Sequence, residues 1–438
     1  MITAIILQLS VLKKIKLTGI TNNEITTYEG APSRSFVPSI VSGFNVFEDH
    51  ITDIGTFRIA STDTNVVTVG LNNQLSFVGV GKANIVVADK DTSLYALIEV
   101  NVLPADYQSA VDNGTAVFPK IDAGDYFSIA LKADGTVWTW GYNVAGQLGN
   151  NSTADSLIPV QVLGGATGNQ YLTNVVQVAA GGTFDGGNRY YALALRENGT
   201  VWAWGNNEYG QLGDGSVSCA YEPINVTALN GKDIVSVHAG EYHSIALTRD
   251  GEVYTWGHND YGQLGLGNAS IVVSTPQKVE SLPEIVSISA GKQHTMVLGA
   301  DGYVYSFGDN SLGQLGAPSK DTSKRSSTPV VAQGLNKVIS ISIGAGGSAT
   351  KAVRYDGTLW GWGENSNHQI NNTNNRYYSY PVKIDLGDEF NGHILKRMMV
   401  YITLLQCLIT AELYRGALTV KVSLDKVLTK RKLVILCS

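Results

Sequence analysis

Residues Ala194 to Gly213 read ALRENGTVWAWGNNEYGQLG. Aliphatic and aromatic side chains alternate through Val201-Trp202-Ala203-Trp204, the period of a β-strand, whose successive side chains point to opposite faces. Asn198-Gly199 just before it is expected to form a type I′ turn, because Asn-Gly and Asp-Gly tolerate positive φ, and so to join two antiparallel strands. Gly205 and Gly210, after the second Trp, allow a sharp bend and the close approach of another backbone.

Working outward, the same pattern recurs four more times. The copies are ALKADGTVWTWGYNVAGQLG from Ala130, ALTRDGEVYTWGHNDYGQLG from Ala246, VLGADGYVYSFGDNSLGQLG from Val297 and AVRYDGTLWGWGENSNHQIN from Ala352. The aromatic before each Gly is Trp140, Trp204, Trp256, Phe307 and Trp362, at spacings of 64, 52, 51 and 55. An alternating strand such as Ser128-Ile129-Ala130-Leu131 precedes each turn. A polar loop of variable length follows each copy and ends near Pro159, Pro223, Pro276, Pro329 or Pro381, with a short strand after the proline. A further strand such as Ile234–Val237 or Ile285–Ile288 leads into Ala-Gly. That makes four strands per unit. A single such sheet leaves both faces bare, so the units must stack face to face. Radial stacking of four-stranded sheets is a β-propeller.

The repeated A-L-x-x-D-G-x-V-x-x-W-G-x-N-x-x-G-Q-L-G, preceded by A-G-x-x-H-S, resembles the repeat of the regulator of chromosome condensation (RCC1) family. His243-Ser244 and His294-Thr295 match the H-S position, whereas Phe127-Ser128 and Tyr191-Ala192 replace it. The resemblance covers residues 117–386. It implies a propeller, typically of seven blades in the family, of which five are readable here. It also implies guanine nucleotide exchange on a small GTPase as one candidate activity, carried in the family by a β-wedge insertion. The insertions in this chain lie near Gly164–Asn174 and Thr183–Arg189. Inhibition of a secreted enzyme by the propeller face, as in some secreted relatives, is another candidate.

Residues 12–104 have a different character. Ala60–Val69 and Gly70–Val87 form a run of short alternating strands and turns, closed by Leu97–Val102. The pattern resembles the bacterial immunoglobulin-like group 2 domain, with Asp63 and Asn65 departing from its usual Ser-Asn-Pro. A β-sandwich is expected. Residues 1–11 are a segment of undecided role and 105–116 a linker. Because such domains are spacers on bacterial surface proteins, the pairing implies an extracellular or cell-surface location, the alternative being cytoplasmic. The first residues carry their positive charge after the apolar run, the reverse of a secretory signal.

After Gly392 the composition changes. Residues from His393 onward contain no Trp or Asn, and Lys and Arg exceed Asp and Glu. Either 387–438 is a basic extension, or it is a sixth blade in the wrong reading frame. The second reading is favoured by codon degeneracy. Met398-Met399-Val400 necessarily encodes Asp-Gly in the frame that starts at each third base. Residues 415–425 permit Trp-Gly followed by Gly-Gln-Leu-Gly at the repeat's own offsets.

Composition narrows the function classes. Forty-eight glycines and 21 tyrosines with only 16% charged residues suit an all-β chain with many turns. A net charge of −6 gives no electrostatic case for nucleic acid. No stretch reaches the length needed to cross a membrane as a helix. Cys219, Cys407 and Cys437 form no C-x-x-C pair, and the seven histidines show no ligand spacing such as H-E-x-x-H. No catalytic constellation, metal site or cofactor is expected. His243 and His294 occupy equivalent positions, so a structural role between blades is expected for both. Contacts with a partner, an unidentified protein or a surface glycan, are expected from the variable loops after Gly-Gln-Leu-Gly, where Tyr221, Lys324, Arg325, Tyr377 and Tyr378 are the candidate residues. The expectation is therefore an all-β, non-enzymatic binding protein: an incomplete propeller behind an immunoglobulin-like spacer.

Overall fold

The computed structural model describes strands between residues 13 and 103, then residues 117 and 119–385 with breaks at 166–169, 184–188, 268–269, 319–323, 345–346, 355 and 372–373. The expected segment 1–11, the linker and the tail 387–438 fall outside the described residues.

Ten strands come first: β1 (Lys13–Thr18), β2 (Glu24–Tyr28), β3 (Arg34–Ser35), β4 (Val37–Ser42), β5 (His50–Ile51), β6 (Phe57–Ser61), β7 (Val67–Val69), β8 (Gln74–Phe77), β9 (Gly81–Asp89) and β10 (Tyr95–Leu103). They form three sheets, ordered β1-β4-β5, β2-β10-β9-β6 and β3-β8-β7. All pairs are antiparallel except β2 with β10. Alternation decides their faces: Ala83, Ile85 and Val87 of β9 are fully buried beside Val100 and Val102 of β10, and Leu75 and Phe77 of β8 are buried while Ser76 is exposed.

Each repeat then folds as its own four-stranded antiparallel meander. Blade 1 is β11 (Lys120–Ala123), β12 (Phe127–Leu131), β13 (Val137–Gly141) and β14 (Ser156–Gln161). Blade 2 is β15 (Val175–Gly181), β16 (Tyr191–Arg196), β17 (Val201–Gly205) and β18 (Ala220–Asn225). Blade 3 is β19 (Ile234–Ala239), β20 (His243–Thr248), β21 (Val253–His258) and β22 (Val272–Lys278). Blade 4 is β23 (Ile285–Ala290), β24 (His294–Gly299), β25 (Val304–Asp309) and β26 (Arg325–Val331). Blade 5 is β27 (Val338–Ile343), β28 (Ala349–Arg354), β29 (Leu359–Glu364) and β30 (Tyr377–Lys383).

Two local expectations need correction. The Asp-Gly and Asn-Gly turns are not type I′. Only the glycine has positive φ, as at Gly135 (+74°) and Gly199 (+77°). Gly135 N donates to Lys132 O and Lys132 N donates to Thr136 O, so the loop is a three-residue turn with the glycine in the left-handed position. The Asp134 carboxylate holds it by accepting from Thr136 N and Oγ1. Asn198 and Asp356 do the same with Thr200 and Thr358. Second, the outer strand begins before the proline instead of after it. Gly141 pairs with Ser156 and Thr139 with Val160, so β14 bulges across Leu157–Pro159. The same shift recurs in β18, β22, β26 and β30. A bulge on an outermost strand is where a residue without an N–H is tolerated.

The core lies between sheets. Ile129, Leu148 and Val162 of blade 1 pack with Ala192, Ala194 and Trp204 of blade 2. Leu193, Leu212 and Val226 pack with Ala246 and Trp256. Ile245 and Val279 pack with Val297 and Phe307, and Met296 and Leu335 with Ala352 and Trp362. In the second strand of each blade, alternate residues thus face the blade ahead and the blade behind. The first strands pack in series, β11 on β15, β15 on β19, β19 on β23 and β23 on β27. Among the described residues, no comparable packing joins blade 5 back to blade 1.

Candidate functional site

The repeated residues are spent on joining one blade to the next. In Gly-Gln-Leu-Gly the loop is first braced from within. The Gln147 Oε1 accepts from Ala145 N, and Asn143 Oδ1 accepts from Leu148 N. The same pair of bonds recurs at Gln211 and Asn207, Gln263 and Asn259, Gln314 and Asn310, and Gln369 and Asn365. That bracing turns the glutamine carbonyl toward the next blade. There Gln147 O accepts the indole N–H of Trp204 at 2.9 Å, Gln211 O that of Trp256 at 2.8 Å, and Gln314 O that of Trp362 at 3.0 Å.

Both glycines of the motif are required by this contact. A Cβ on Gly213 would lie 2.7 Å from Trp256 Nε1, and one on Gly210 would lie 2.6 Å from Ser274 Cα on the next blade's outer strand. Real Cβ atoms do not come so close, and φ is positive at both positions. Trp204, Trp256, Phe307 and Trp362 are fully buried. Trp140, whose blade has no predecessor among the five, is only half-buried.

The H-S positions also reach forward. His243 Nε2 lies 2.8 Å from Thr295 Oγ1, and His294 Nε2 lies 3.3 Å from Thr350 Oγ1. Thr295 donates its own hydroxyl proton to Gln263 O, so it accepts from His243, which fixes the proton on Nε2. Tyr191, at the equivalent place, donates to His243 O at 2.5 Å. Burial pushes the His243 and His294 imidazoles down to about 3, so both are neutral. The inner strands add one more link per interface. Asp122 accepts from Ala180 N, Gln177 makes two bonds to Val237, His238 Nδ1 accepts from Ala290 N, and Ser289 Oγ accepts from Ile343 N. Burial holds the Asp122 carboxyl up at about 6 despite the backbone bonds it accepts. Each of these shifts is a packing consequence.

The five candidate contact residues fall on the connection between the third and fourth strands or at the start of the fourth. Three are tied down. The Tyr221 ring packs over Gly146 and its carbonyl accepts from Asn151 N, joining blade 2 to blade 1. The Arg325 guanidinium donates to Asp260 O, joining blade 4 to blade 3. The Tyr378 hydroxyl donates to Asn371 Oδ1 at 2.7 Å. Lys324 takes a positive φ of 56° and its carbonyl accepts from Asn310 N. Tyr377 is half exposed on β30. The structure does not bring the five together.

It does bring together residues that reading for loops passes over. In a meander, the connection between strands 1 and 2 and that between strands 3 and 4 lie at the same end of the sheet. The x positions of A-G-x-x-H and W-G-x-N-x-x-G therefore meet there. On blades 1 to 3 several of them are aromatic. Tyr126, Tyr142 and Tyr190 pack with ring centroids 6.0 to 6.4 Å apart. Tyr209 lies 5.2 Å from Tyr242 and 4.4 Å from His258, and Tyr261 adjoins His258. The Arg189 guanidinium sits 5.4 Å from the Tyr209 ring and 5.6 Å from the Tyr242 ring, and pairs with Glu208 at 2.7 Å. Comparing the five copies column by column would have found this band, since its positions vary while their neighbours repeat. Among the described residues no cluster of His, Cys, Asp or Glu is arranged to hold a metal, and no helix is long and apolar enough to cross a membrane.

Five consecutive four-stranded blades clasped through Trp-Gly and Gly-Gln-Leu-Gly define an RCC1-type propeller. The chain belongs to the RCC1-like domain family, which matches residues 31–401 and so begins within the N-terminal strands. Among curated proteins it is similar to human E3 ubiquitin-protein ligase HERC2, 34% identical over 229 residues, which is 51% of this chain and 4% of that one. It is also similar to the ultraviolet-B receptor UVR8 of Arabidopsis thaliana, 33% identical over 255 residues, 57% of this chain and 54% of that one. The chain thus spans about half the length of UVR8 and a small part of HERC2. Among solved structures, human WBSCR16 matches with a TM-score of 0.52 at 24% identity, covering 61% of this chain and 66% of that one. Prp20p of Saccharomyces cerevisiae matches with a TM-score of 0.51 at 22% identity, covering 75% and 86%. These two likenesses are of fold.

Proposed function

We propose that this chain is a non-catalytic propeller that binds a partner protein through the aromatic band of blades 1 to 3. One observation carries the reading. The residues common to all the blades are consumed between blades, while Tyr126, Tyr142, Arg189, Tyr209 and Tyr261, at positions that blades 4 and 5 fill without an aromatic ring, gather at one end of three adjacent sheets. Tyr and Arg are the side chains that dominate protein interfaces. The solved relative Prp20p is described by its binding to Gsp1p and histones, which supports protein binding as the use of this fold.

The N-terminal strands are read as an immunoglobulin-like spacer, and a surface location goes with that reading. The buried alternation in β8, β9 and β10 supports it. The test is capture of partners from host and bacterial surface extracts by the full chain, beside Tyr126→Ala and Arg189→Ala and, separately, Lys324→Ala and Tyr377→Ala. Loss with the first pair alone supports the band. Loss with the second pair alone moves the contact to the variable loops. A nucleotide-release assay on small GTPases separates simple binding from exchange, for which residues 166–169 and 184–188 of the insertions Gly164–Asn174 and Thr183–Arg189 lie outside the described residues.

A further inference from the structure

The glutamine of Gly-Gln-Leu-Gly has a second hydrogen-bonding end, and what it meets differs from blade to blade. Its Oε1 accepts a loop N–H, that of Tyr209 in blade 2, Tyr261 in blade 3 and Leu312 in blade 4. That bond orients the amide, so its Nε2 donates to the residue after Trp-Gly or Phe-Gly. In blade 2 the acceptor is Asn206 Oδ1 at 2.8 Å, and in blade 4 it is Asp309 Oδ2 at 2.6 Å. In blade 3 it is His258 Nδ1 at 3.0 Å.

The imidazole differs from an amide oxygen because a proton can take the lone pair that does the accepting, and histidine titrates near neutral pH. Here His258 is neutral, with Nδ1 accepting from Gln263 and Nε2 donating to Asp260 Oδ2 at 3.1 Å. The buried ring is wedged among Tyr209, Tyr242 and Tyr261, with centroids 4.4, 6.2 and 6.4 Å away. A proton on Nδ1 would set two donors face to face. Gln263 can relieve this by swinging away or by turning its amide over to offer Oε1. Either movement takes Oε1 from Tyr261 N. Charges of both signs surround the ring. Asp260, whose carbonyl holds the Arg325 guanidinium, favours the proton. Arg189, paired with Glu208, opposes it, and the buried His243 also lies within electrostatic reach. Burial is the largest influence, and it holds the imidazole below its ordinary range despite Asp260.

We propose that His258 is a proton-operated latch on the blade-3 loop: a proton on Nδ1 breaks its bond with Gln263, frees Tyr261 N and loosens the Tyr209, Tyr242 and Tyr261 end of the aromatic band. The latch is closed above the ordinary histidine value of about 6.5 and opens as pH falls below it. Blade 2 has no such latch, because the Asn206 amide oxygen keeps its lone pairs through this range. The consequence for binding rests on the band being the contact surface: a partner held there is released in acid.

The test needs no partner, so its failure is distinct from a failure of that contact surface. The full chain with 15N-labelled tyrosine reports the Tyr209 and Tyr261 amides side by side by NMR. Their exchange with water is followed from about pH 7.5 to about pH 5 and corrected for the intrinsic pH dependence of amide exchange. Protection of Tyr261 should fall relative to Tyr209 by about fivefold, the factor that one hydrogen bond supports. The variant His258→Asn places blade 2's acceptor in blade 3 and should abolish the fall. A parallel loss at both amides would mean general loosening in acid and overturn the proposal. An unchanged Tyr261, or a fall that persists in His258→Asn, would overturn it too. Should the variant not fold, the comparison of the two amides in the natural chain decides alone.

Discussion

Where blade 3 meets blade 2, the Trp256 indole donates to Gln211 O at 2.8 Å and its ring lies against Gly213. Where blade 4 meets blade 3, Phe307 occupies the same place against Gly265 but has nothing to donate, and Gln263 O accepts only the Thr295 hydroxyl of that pair, at 2.8 Å. Both rings are fully buried. The difference separates two contributions that the Trp-Gly motif presents as one. The flat ring pressed on a glycine is constant, and the indole hydrogen bond is an addition to it. The carbonyl remains satisfied at either interface because the hydroxyl of Ser244 or Thr295 reaches it in any case.

That comparison can be broken first by removing the ring. Trp256→Ala should cost about 3–5 kcal/mol in chemical denaturation, the range for emptying a large buried site. Phe307→Ala should cost about as much, because the ring and not the bond is the larger part. Filling the glycine comes next. Gly213→Ala and Gly265→Ala should each cost about 2–4 kcal/mol, from overpacking against the ring together with strain at positive φ. Equal losses at the two glycines would fit a shape rule, and a loss confined to Gly213 would mean the indole bond dominates.

The pH dependence follows from the histidines that bridge the same interfaces. In the folded chain His243 and His294 titrate near 3, against about 6.5 when unfolded. Below 6.5 the unfolded chain binds protons that the folded chain refuses. Their stabilisation is therefore complete above about pH 6.5 and drains away as pH falls toward 3, by up to about 1.4 kcal/mol per pH unit for each histidine. Asp122, held near 6, acts in the opposite sense between about 6 and its ordinary value. Melting temperatures between pH 7 and 4 should fall, and the double variant His243→Gln/His294→Gln should flatten the slope while its amide still donates to Thr295 and Thr350. The smallest effect is the exchange of rings: Trp256→Phe should lose, and Phe307→Trp gain, about 1 kcal/mol, one hydrogen bond's net worth.

Much of the fold was legible because the repeat is dense in local signals. The alternation through Val201–Trp204, the turn residues Asn198-Gly199 and the glycines after Trp204 each announce themselves within a few residues. The turn type was misread because Asp134 accepts from Thr136, a side-chain bond that favours a three-residue loop and is invisible in the dipeptide. The outer strands were placed after their prolines because a bulge on an edge strand cannot be seen in one strand alone. The candidate loops were the least legible. Tyr221 and Arg325 look like free contact residues in sequence but are held by blades 1 and 3.

The sequence by itself determined the number of readable blades, the four strands of each, and the obligation of those sheets to stack, since all three follow from periods of two and of about 50 residues. The tertiary structure alone decided which glycine faces which ring, why His243 and His294 stay neutral, that tyrosines of neighbouring blades gather into clusters, and that Arg189, next to Tyr190, lies over the rings of Tyr209 and Tyr242. The physical reason is common to all four. Every side chain concerned finds its partner on the adjacent sheet, roughly one repeat away along the chain, and only stacking brings those positions within bonding distance.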